Sequence, residues 1–398
     1  MTVNATWTNP VLDIDRIIDD RRTRIVVCCG SGGVGKTTTA AALGLRAAER
    51  GRQVCVLTVD PARRLAQSMG LSSLDNTPRL VEGIDEEAGG SLHAMMLDMK
   101  RTFDEIVEAH SDPARAAQIL ANPFYQSLSS SFSGTQEYMA MEKLGQLRRS
   151  DEWDLIVVDT PPSRSALDFL DAPERLGRFL DGRLIRLLTS PVKAGRPFGR
   201  VLNAGFSMMT GAMTKVLGGQ LLRDAQTFIT AFDTMFGGFR ERAEATYKLL
   251  QAPGTSFLVV ATPEPDALRE ASYFVERLAE ERMPLAGLLL NRVHSAGSCR
   301  LSAARSQAAA ETLESMSPNG PVAAASSGDY SVSAQTATAA ALRLHASRMN
   351  LGERERRVAG SFMSTHPAVP VVEVPALPED VHDLAGLRRV GESFAVQG

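Results

Sequence analysis

Four glycines, a lysine and a threonine share the segment Gly30-Ser31-Gly32-Gly33-Val34-Gly35-Lys36-Thr37. The spacing G-x-x-x-x-G-K-[ST] is typical of a loop whose backbone N–H groups wrap a phosphate chain, because glycine tolerates the backbone angles required. In such a loop the lysine reaches the β- and γ-phosphates and the hydroxyl binds Mg²⁺. A glycine-rich turn without a ligand is the plainer alternative. The predicted nucleotide-binding residues are Gly30, Ser31, Gly32, Gly33, Val34, Gly35, Lys36, Thr37 and Thr38.

The flanking sequence supplies the strand and the helix that such a loop requires. The apolar stretch Arg24–Cys29 precedes the loop, and a helical pattern from Lys36 to Arg50 follows it, before Gly51. A helix that begins at the loop adds the positive end of its dipole to the phosphate site.

Six further buried strands are predicted, and long helical patterns separate most of them. Continuous apolar strands that alternate with helices indicate a parallel sheet covered on both faces. The predicted fold class is therefore α/β, a P-loop NTPase with a doubly wound parallel sheet and a helical subdomain inserted between strands. Ligands in such folds lie beyond the carboxyl ends of the strands. The predicted strands are Gln53–Val59, Leu92–Leu97, Asp154–Asp159, Ser256–Ala261, Leu285–Asn291 and Val369–Val374.

Two carboxylates follow predicted strands. Asp159 is predicted to hold Mg²⁺, in part through water, because NTPases of this type need a strand-end carboxylate for the metal shell; the alternative is a turn or a helix cap. Asp60 could orient the attacking water or accept its proton. It could equally cap a helix that begins at Pro61. The residues alone favour neither role of Asp60.

The predicted base pocket favours adenine. Guanine-specific NTPases usually carry Asn-Lys-x-Asp after a late strand, whereas this strand ends Asn291-Arg292-Val293-His294 and lacks the carboxylate. Asn291 can hydrogen-bond a purine edge, and a rigid loop after the last strand could lie against the base. The predicted loop residues are Pro375, Leu377 and Pro378.

The composition excludes several classes of partner. A net charge of −3 argues against an electrostatically driven nucleic-acid binder. The four cysteines form no C-x-x-C pair, which favours a reduced, cytoplasmic protein over a disulfide framework. No run of about 18 apolar residues occurs, so no integral membrane segment is expected.

Two helical segments interrupt the alternation of strands and helices. We predict an ATPase core in three parts, 1–99, 151–172 and 252–398, with the adenine pocket in the last. A helical insertion at 100–150 and a subdomain at 173–251, rich in Met, Phe and Gly, separate these parts. From Val201 to Phe239 only four of 39 residues are charged, so both faces of the subdomain need apolar neighbours.

Together these residues resemble the arsenite-pump and tail-anchored-protein-targeting ATPases, a family of dimeric P-loop proteins. The resemblance runs from Arg24 to the C-terminus. It implies that Asp60 and Lys36 are the catalytic residues and that Asp60 orients the attacking water. It also implies that Asp159 couples Mg²⁺ to closure of the two subunits. The motifs that carry it are Gly30–Thr37, Asp60-Pro61-Ala62, Gly134-Thr135-Gln136-Glu137, Asp159-Thr160, Asn291 and Pro375–Glu379.

Several residues depart from the family pattern. Ser31 stands where the family usually has a lysine that crosses the dimer to the partner's phosphates. Arg63 replaces a histidine of switch I, and Arg164 replaces a glycine of switch II, so both arginines are candidate switch or sensor residues. The zinc-binding C-x-x-C of eukaryotic targeting members is absent, and so are cysteines in the helical region that could bind arsenite. Arsenical transport is therefore not supported.

The predicted function is a dimeric switch that hydrolyses ATP to ADP and phosphate. Nucleotide-driven closure would control the helical subdomain, where flexible Met side chains suit binding of a hydrophobic client, such as a membrane-protein segment. Packing of the bundle core or the dimer interface is the alternative role of the same side chains. The predicted groove residues are Met208, Met209, Met213, Phe228, Phe232 and Met235.

Two other functions stay open. Ser31 suggests a weakly catalytic or non-catalytic subunit of a heterodimer with a paralogous ATPase, although Arg63, Arg64 or Arg164 could supply the charge in a homodimer. A positioning ATPase related to septum-site or plasmid-partition proteins predicts a C-terminal amphipathic helix or a basic surface. Residues 379–398 contain only Arg388 and Arg389 as basic residues, which argues against that class.

Overall fold

The computed structural model describes residues 9–59, 63–122, 125–126, 136–161, 241–294, 301–316 and 334–395. Within them, eight strands form one sheet in the order β3-β4-β2-β5-β1-β6-β7-β8. Neighbouring strands pair in parallel except β3 and β4, which are antiparallel. The strands are β1 Ile25–Cys29, β2 Gln53–Thr58, β3 Arg79–Leu80, β4 Ser91–Met96, β5 Leu155–Asp159, β6 Thr255–Ala261, β7 Leu285–Val293 and β8 Val371–Pro375.

Helices occupy most of the connections between these strands. The longest described helix, α10, spans 32 residues after β7 and returns the chain to β8. The helices are α1 Ile14–Asp19, α2 Lys36–Glu49, α3 Arg63–Ser68, α4 Met99–His110, α5 Pro113–Leu120, α6 Gln136–Ser150, α7 241–251, α8 Pro265–Glu280, α9 Ala303–Ser315, α10 Ala334–Thr365 and α11 Leu384–Glu392.

Successive residues of the central strands point to opposite faces of the sheet, and different helices cover each face. Ile25 and Val27 of β1 pack with side chains of α4, α6 and α8. Val26 and Cys28 pack instead with α1, α2 and α11. Burying each such apolar side chain contributes about 1.5–3 kcal/mol, which is why the strands are continuous apolar runs. The predicted α/β class, with a mainly parallel sheet covered on both faces, is confirmed.

Small residues let α2 lie close to the sheet. Alanine or glycine occupies six of its ten buried positions, and a Cβ on Gly44 would lie 2.5 Å from Cγ2 of Val56 in β2. Because α2 begins directly after the glycine loop, this close packing fixes the start of the helix beside the carboxyl end of β1. The sheet and α2 therefore hold both ends of the loop.

The structure corrects three details of the predicted elements. The polar N-terminal region contains α1, whose Ile14 and Ile18 are buried against α2, and whose Asp15 pairs with Arg46 at 2.6 Å. The short antiparallel β3 was not predicted, because two exposed residues carry no apolar pattern. Strand β7 also continues past the predicted end at Asn291, with an irregular register before Val293.

Two other expectations concern cysteines and membranes. Cys28, Cys29 and Cys55 are free and buried, as predicted. Burial raises the pKa of the Cys29 and Cys55 thiols to about 12, so these side chains are uncharged packing residues. In the described ranges no helix combines the length and the apolar character needed to cross a membrane.

Candidate nucleotide site

The glycines of the loop sit where other side chains would collide or strain the backbone. Gly30 has φ of 151°, and a Cβ there would lie 2.1 Å from the carbonyl oxygen of Val260 in β6. Gly33 and Gly35 have φ of 79° and 96°, in the left-handed region that favours glycine. A Cβ on Gly35 would also lie 2.3 Å from Nδ2 of Asn291. The loop conformation therefore depends on three of its four glycines.

Lys36 begins α2 and its side chain turns back over the loop. The residue is only 5% exposed, and Nζ donates hydrogen bonds to the carbonyl oxygens of Gly30 at 3.0 Å and Ser31 at 2.8 Å. Gly35, the residue before the helix, has no side chain that could cap the first N–H groups of α2. The ammonium group and the helix N-terminus together make this end of the sheet attractive to an anion.

Asp159 joins the end of β5 to the loop and to β2. Its Oδ2 accepts hydrogen bonds from the hydroxyl of Thr37 at 2.7 Å and from the hydroxyl of Thr58 at 2.9 Å. The carboxylate is fully buried, and the strand register aligns Asp159 with Cys28 on one side and Thr58 on the other. A hydroxyl oxygen next to a carboxylate oxygen is a donor set that suits Mg²⁺.

Thr160 fixes the chain as it leaves β5. Its hydroxyl donates to the carbonyl oxygen of Cys28 at 2.9 Å, and the residue is buried. Burial, followed by the charge of Asp159, raises the pKa of the Cys28 thiol well above its usual range. The resemblance implies that Asp159 and Thr160 begin switch II, so that segment starts at an anchored residue.

The end of β7 holds the loop from outside. Nδ2 of Asn291 donates to the carbonyl oxygen of Val34 at 2.8 Å, and Nη1 of Arg292 donates to the carbonyl oxygen of Gly33 at 3.2 Å. The loop after β8 lies beside this strand, since the N–H of Ala376 donates to the carbonyl oxygen of Val293 at 3.0 Å. Asn291 thus reaches the P-loop, while its predicted contact with a purine stays a prediction.

The comparison with known proteins agrees with this geometry. The family model described as anion-transporting ATPase matches residues 23–319, a span that contains the loop, Asp159 and Asn291. The chain belongs to this family. As a member of the anion-transporting ATPase family it is an ATPase, and the resemblance inferred from the sequence is confirmed.

Several similar proteins carry the name ATPase GET3 or get3. The ATPase GET3 of Ajellomyces dermatitidis is 26% identical over 282 residues, which cover 70% of this chain and 76% of that protein. The ATPase GET3 of Malassezia globosa is 28% identical over 198 residues, 50% of this chain and 54% of its own. The ATPase get3 of Pyrenophora tritici-repentis is 24% identical over 288 residues, 70% of this chain and 76% of its own.

Several predicted site residues of this ATPase lie outside the described residues. The side chain of Arg63, at the start of α3, is among them. Pro375 and Pro378 are exposed and Leu377 is half-buried, beyond the end of the family match, so their contact with adenine stays a prediction. The others outside the described residues are Asp60, Arg164, Met208, Met209, Met213, Phe228, Phe232 and Met235.

The sequence reasoning missed two residues that contact the site. Thr58 is fully buried and donates to Asp159; its only sequence signal is its position two residues before Asp60. Arg292 contacts the loop directly, and its signal is the neighbouring Asn291. Both contacts depend on which strands lie side by side, and a single sequence does not specify strand order.

Proposed function

We infer that this ATPase is a dimeric switch that hydrolyses ATP to ADP and phosphate with Mg²⁺. The observation that carries this inference is the contact of the Thr37 hydroxyl with the buried Asp159 carboxylate at 2.7 Å, beside the glycine loop and Lys36. A hydroxyl and a carboxylate held this close can share one metal shell on the triphosphate.

Each residue of the site has a role in this proposal. Lys36 exchanges its contacts with the loop carbonyls for the β- and γ-phosphates, and the first N–H groups of α2 bind the same phosphates. Thr37 and Asp159 would hold Mg²⁺, in part through water, and the metal would supply positive charge that stabilises the phosphates during hydrolysis. Asp60 orients the attacking water. Asn291 and the loop Pro375–Pro378 would bind adenine.

The first test is hydrolysis of ATP by the purified chain. Release of phosphate that requires both the protein and Mg²⁺ supports the proposal, and it must co-purify with the chain through two different columns. A chain that binds neither ATP nor ADP would contradict it.

Substitution of Ser31 distinguishes a homodimer of this chain from a heterodimer with a paralogue. If two copies of this chain share the site, Ser31→Lys adds a cation to each trans contact, and hydrolysis should rise about tenfold or more, a fraction of the roughly 10³–10⁵ measured for arginines supplied in trans. Ser31→Met, which has similar length and no charge, is the matched control. The assay is the steady-state rate together with the native mass.

The outcomes of this experiment point to different assemblies. A self-dimer whose rate rises with Ser31→Lys, and not with Ser31→Met, supports the homodimer. A monomer that is inactive alone and gains activity with a paralogous ATPase supports the alternative, in which this chain is the weakly catalytic subunit.

We further propose that the helical subdomain binds a hydrophobic client, of the kind found in membrane-protein segments. The support is its composition: the stretch from Val201 to Phe239 has few charged residues and contains all six predicted groove residues. Flexible methionines suit apolar partners of varied shape.

A transmembrane peptide tests this client hypothesis. Met208→Asp and Phe232→Asp should each weaken binding of a fluorescent transmembrane peptide by about tenfold or more, because burying an unpaired charge costs several kcal/mol. Met316→Asp is the matched control, since Met316 is 67% exposed at the end of α9. Equal binding by all three variants would contradict the groove, and a dimer lost only in the first two would support interface packing instead.

A further inference from the structure

We propose that Arg292 is a positioning residue of the phosphate-binding loop. This inference rests on the proposed function, because it concerns how the loop is shaped to receive the phosphates of ATP. It assigns Arg292 no contact with the nucleotide. The side chain of Arg292 contacts Gly33, and the side chain of Asn291 contacts Val34. We call these two side chains the external clamp.

The clamp holds two successive carbonyl groups of the loop. Arg292 donates to the carbonyl oxygen of Gly33 at 3.2 Å and Asn291 donates to that of Val34 at 2.8 Å. In a trans peptide, the C=O and the N–H of the same unit point in opposite directions. A carbonyl of Gly33 held toward β7 therefore turns the N–H of Val34 away from β7. The carbonyl of Val34 does the same for the N–H of Gly35.

Those two N–H groups belong to the part of the loop that binds phosphate in the proposed site. Gly33 and Gly35 have left-handed backbone angles, and glycine at such positions adopts several conformations with similar energy. External contacts are thus needed to select one orientation of each peptide unit. Selecting it before ATP binds lowers the entropy that binding must otherwise remove.

The end of β7 is built to present both side chains to the loop. In the pairing of β7 with β8, Leu290 lies opposite Glu373 and Val293 lies opposite Pro375. Strand β7 therefore has one more residue than β8 between these two pairs, which makes a β-bulge. Arg292 lies in this bulge with φ of 58°, an unfavourable angle for a residue other than glycine. The side-chain oxygen of Asn291 accepts the N–H of Arg292 at 2.9 Å and supports that conformation.

The charge of Arg292 has no competing partner among the described carboxylates. None of them lies within ion-pair distance of its guanidinium in the part of the chain that the structure describes. The side chain is exposed, so burial does not explain its strained backbone either. The hydrogen bond to Gly33 is therefore the side-chain contact that this conformation provides, in addition to the backbone support from Asn291.

The experiment compares the affinities of variants of the full chain for ATP and for AMP. Arg292→Ala should weaken ATP by about 3- to 10-fold, the equivalent of one hydrogen bond. It should leave the affinity for AMP, measured by competition, unchanged, because AMP lacks the β- and γ-phosphates. Arg292→Lys keeps a cationic donor and should bind ATP with an affinity between those of Arg292→Ala and the wild type.

Two controls separate the side-chain contact from backbone strain. Arg282 also has a positive φ, 54°, and is exposed in the turn after α8, so Arg282→Ala should leave the affinity for ATP unchanged. Arg292→Gly removes both the contact and the strain, and it should lose ATP affinity as Arg292→Ala does. If Arg292→Gly binds ATP as the wild type does, strain and not the clamp is the cause, and the proposal fails.

The remaining outcomes also decide the question. Arg292→Ala within twofold of the wild type overturns the clamp. Equal loss of ATP and AMP affinity overturns it as well, because that pattern indicates a contact with the base or ribose. A wild-type chain that binds no ATP contradicts the proposed function itself, so the two failures are distinguishable.

Discussion

Lys36→Ala is expected to reduce ATP hydrolysis by about 10²-fold or more, the size of effect seen when one donor to developing negative charge is removed. The ammonium group is buried at the mouth of the loop, 2.8 Å from the carbonyl oxygen of Ser31, and in the proposed mechanism it moves to the phosphates. Alanine leaves neither a charge nor a donor there. The measurements are the steady-state rate and the affinity for ATP.

Loss of stability must be separated from loss of chemistry in this experiment. Without Lys36, the carbonyl oxygens of Gly30 and Ser31 lose a donor, at a cost of about 1–3 kcal/mol in the free energy of unfolding. Lys143 provides the matched control: it is 7% exposed, and its Nζ lies 3.0 Å from Oε2 of Glu105. Lys143→Ala should lower the melting temperature and keep kcat within about twofold, since a chain that retains a few kcal/mol of its unfolding free energy is still almost entirely folded. A Lys36→Ala variant with wild-type hydrolysis would mean that another site, or another protein, is responsible.

The main strands were predictable because hydrophobic burial acts on contiguous residues. β1, β5 and β6 are continuous apolar runs covered on both faces, and their predicted ends agree with the structure to within about one residue. α1 was not predicted. It has six residues and only two buried side chains, so its stability comes from packing on α2 and from the ion pair of Asp15 with Arg46, which the local sequence does not reveal.

Only those parts of the site whose residues lie close together in one segment of the sequence were predictable. The glycine loop and the strand-end Asp159 follow from local spacing, and the structure brings Thr37 to Asp159 as a shared site requires. Thr58 meets Asp159 because β2 and β5 are neighbours in the sheet, a fact that chain order hides. Arg292 reaches Gly33 through a bulge and a positive φ, and neither has a residue pattern, because arginine is an unfavourable choice at that angle.

Asp159→Asn is the second change expected to have a large effect, about a 10²-fold or greater loss of hydrolysis. The amide is nearly the same size but lacks the negative charge that would hold Mg²⁺, and metal coordination contributes several kcal/mol to stabilising transition-state charge. One amide oxygen can still accept from the hydroxyls of Thr37 and Thr58, so the local fold should survive. Binding of ATP should fall less than the rate, and raising the Mg²⁺ concentration should recover part of the activity.

Asp154→Asn tests whether this effect depends on position along the same strand. Asp154 lies just before β5, at the end remote from the loop, where its carboxylate accepts hydrogen bonds from Arg21 and from the N–H of Gln53, each at 3.1 Å. Its removal should change the melting temperature and leave both the rate and the Mg²⁺ dependence as they are. If Asp159→Asn retained more than about a tenth of the wild-type rate at saturating Mg²⁺, the proposed metal role of Asp159 would be contradicted. Asp159 lies at the carboxyl end of β5, beside the loop, whereas Asp154 lies before the amino end of the same strand. The two variants therefore distinguish loss of the site's chemistry from the general effect of removing a negative charge next to β5.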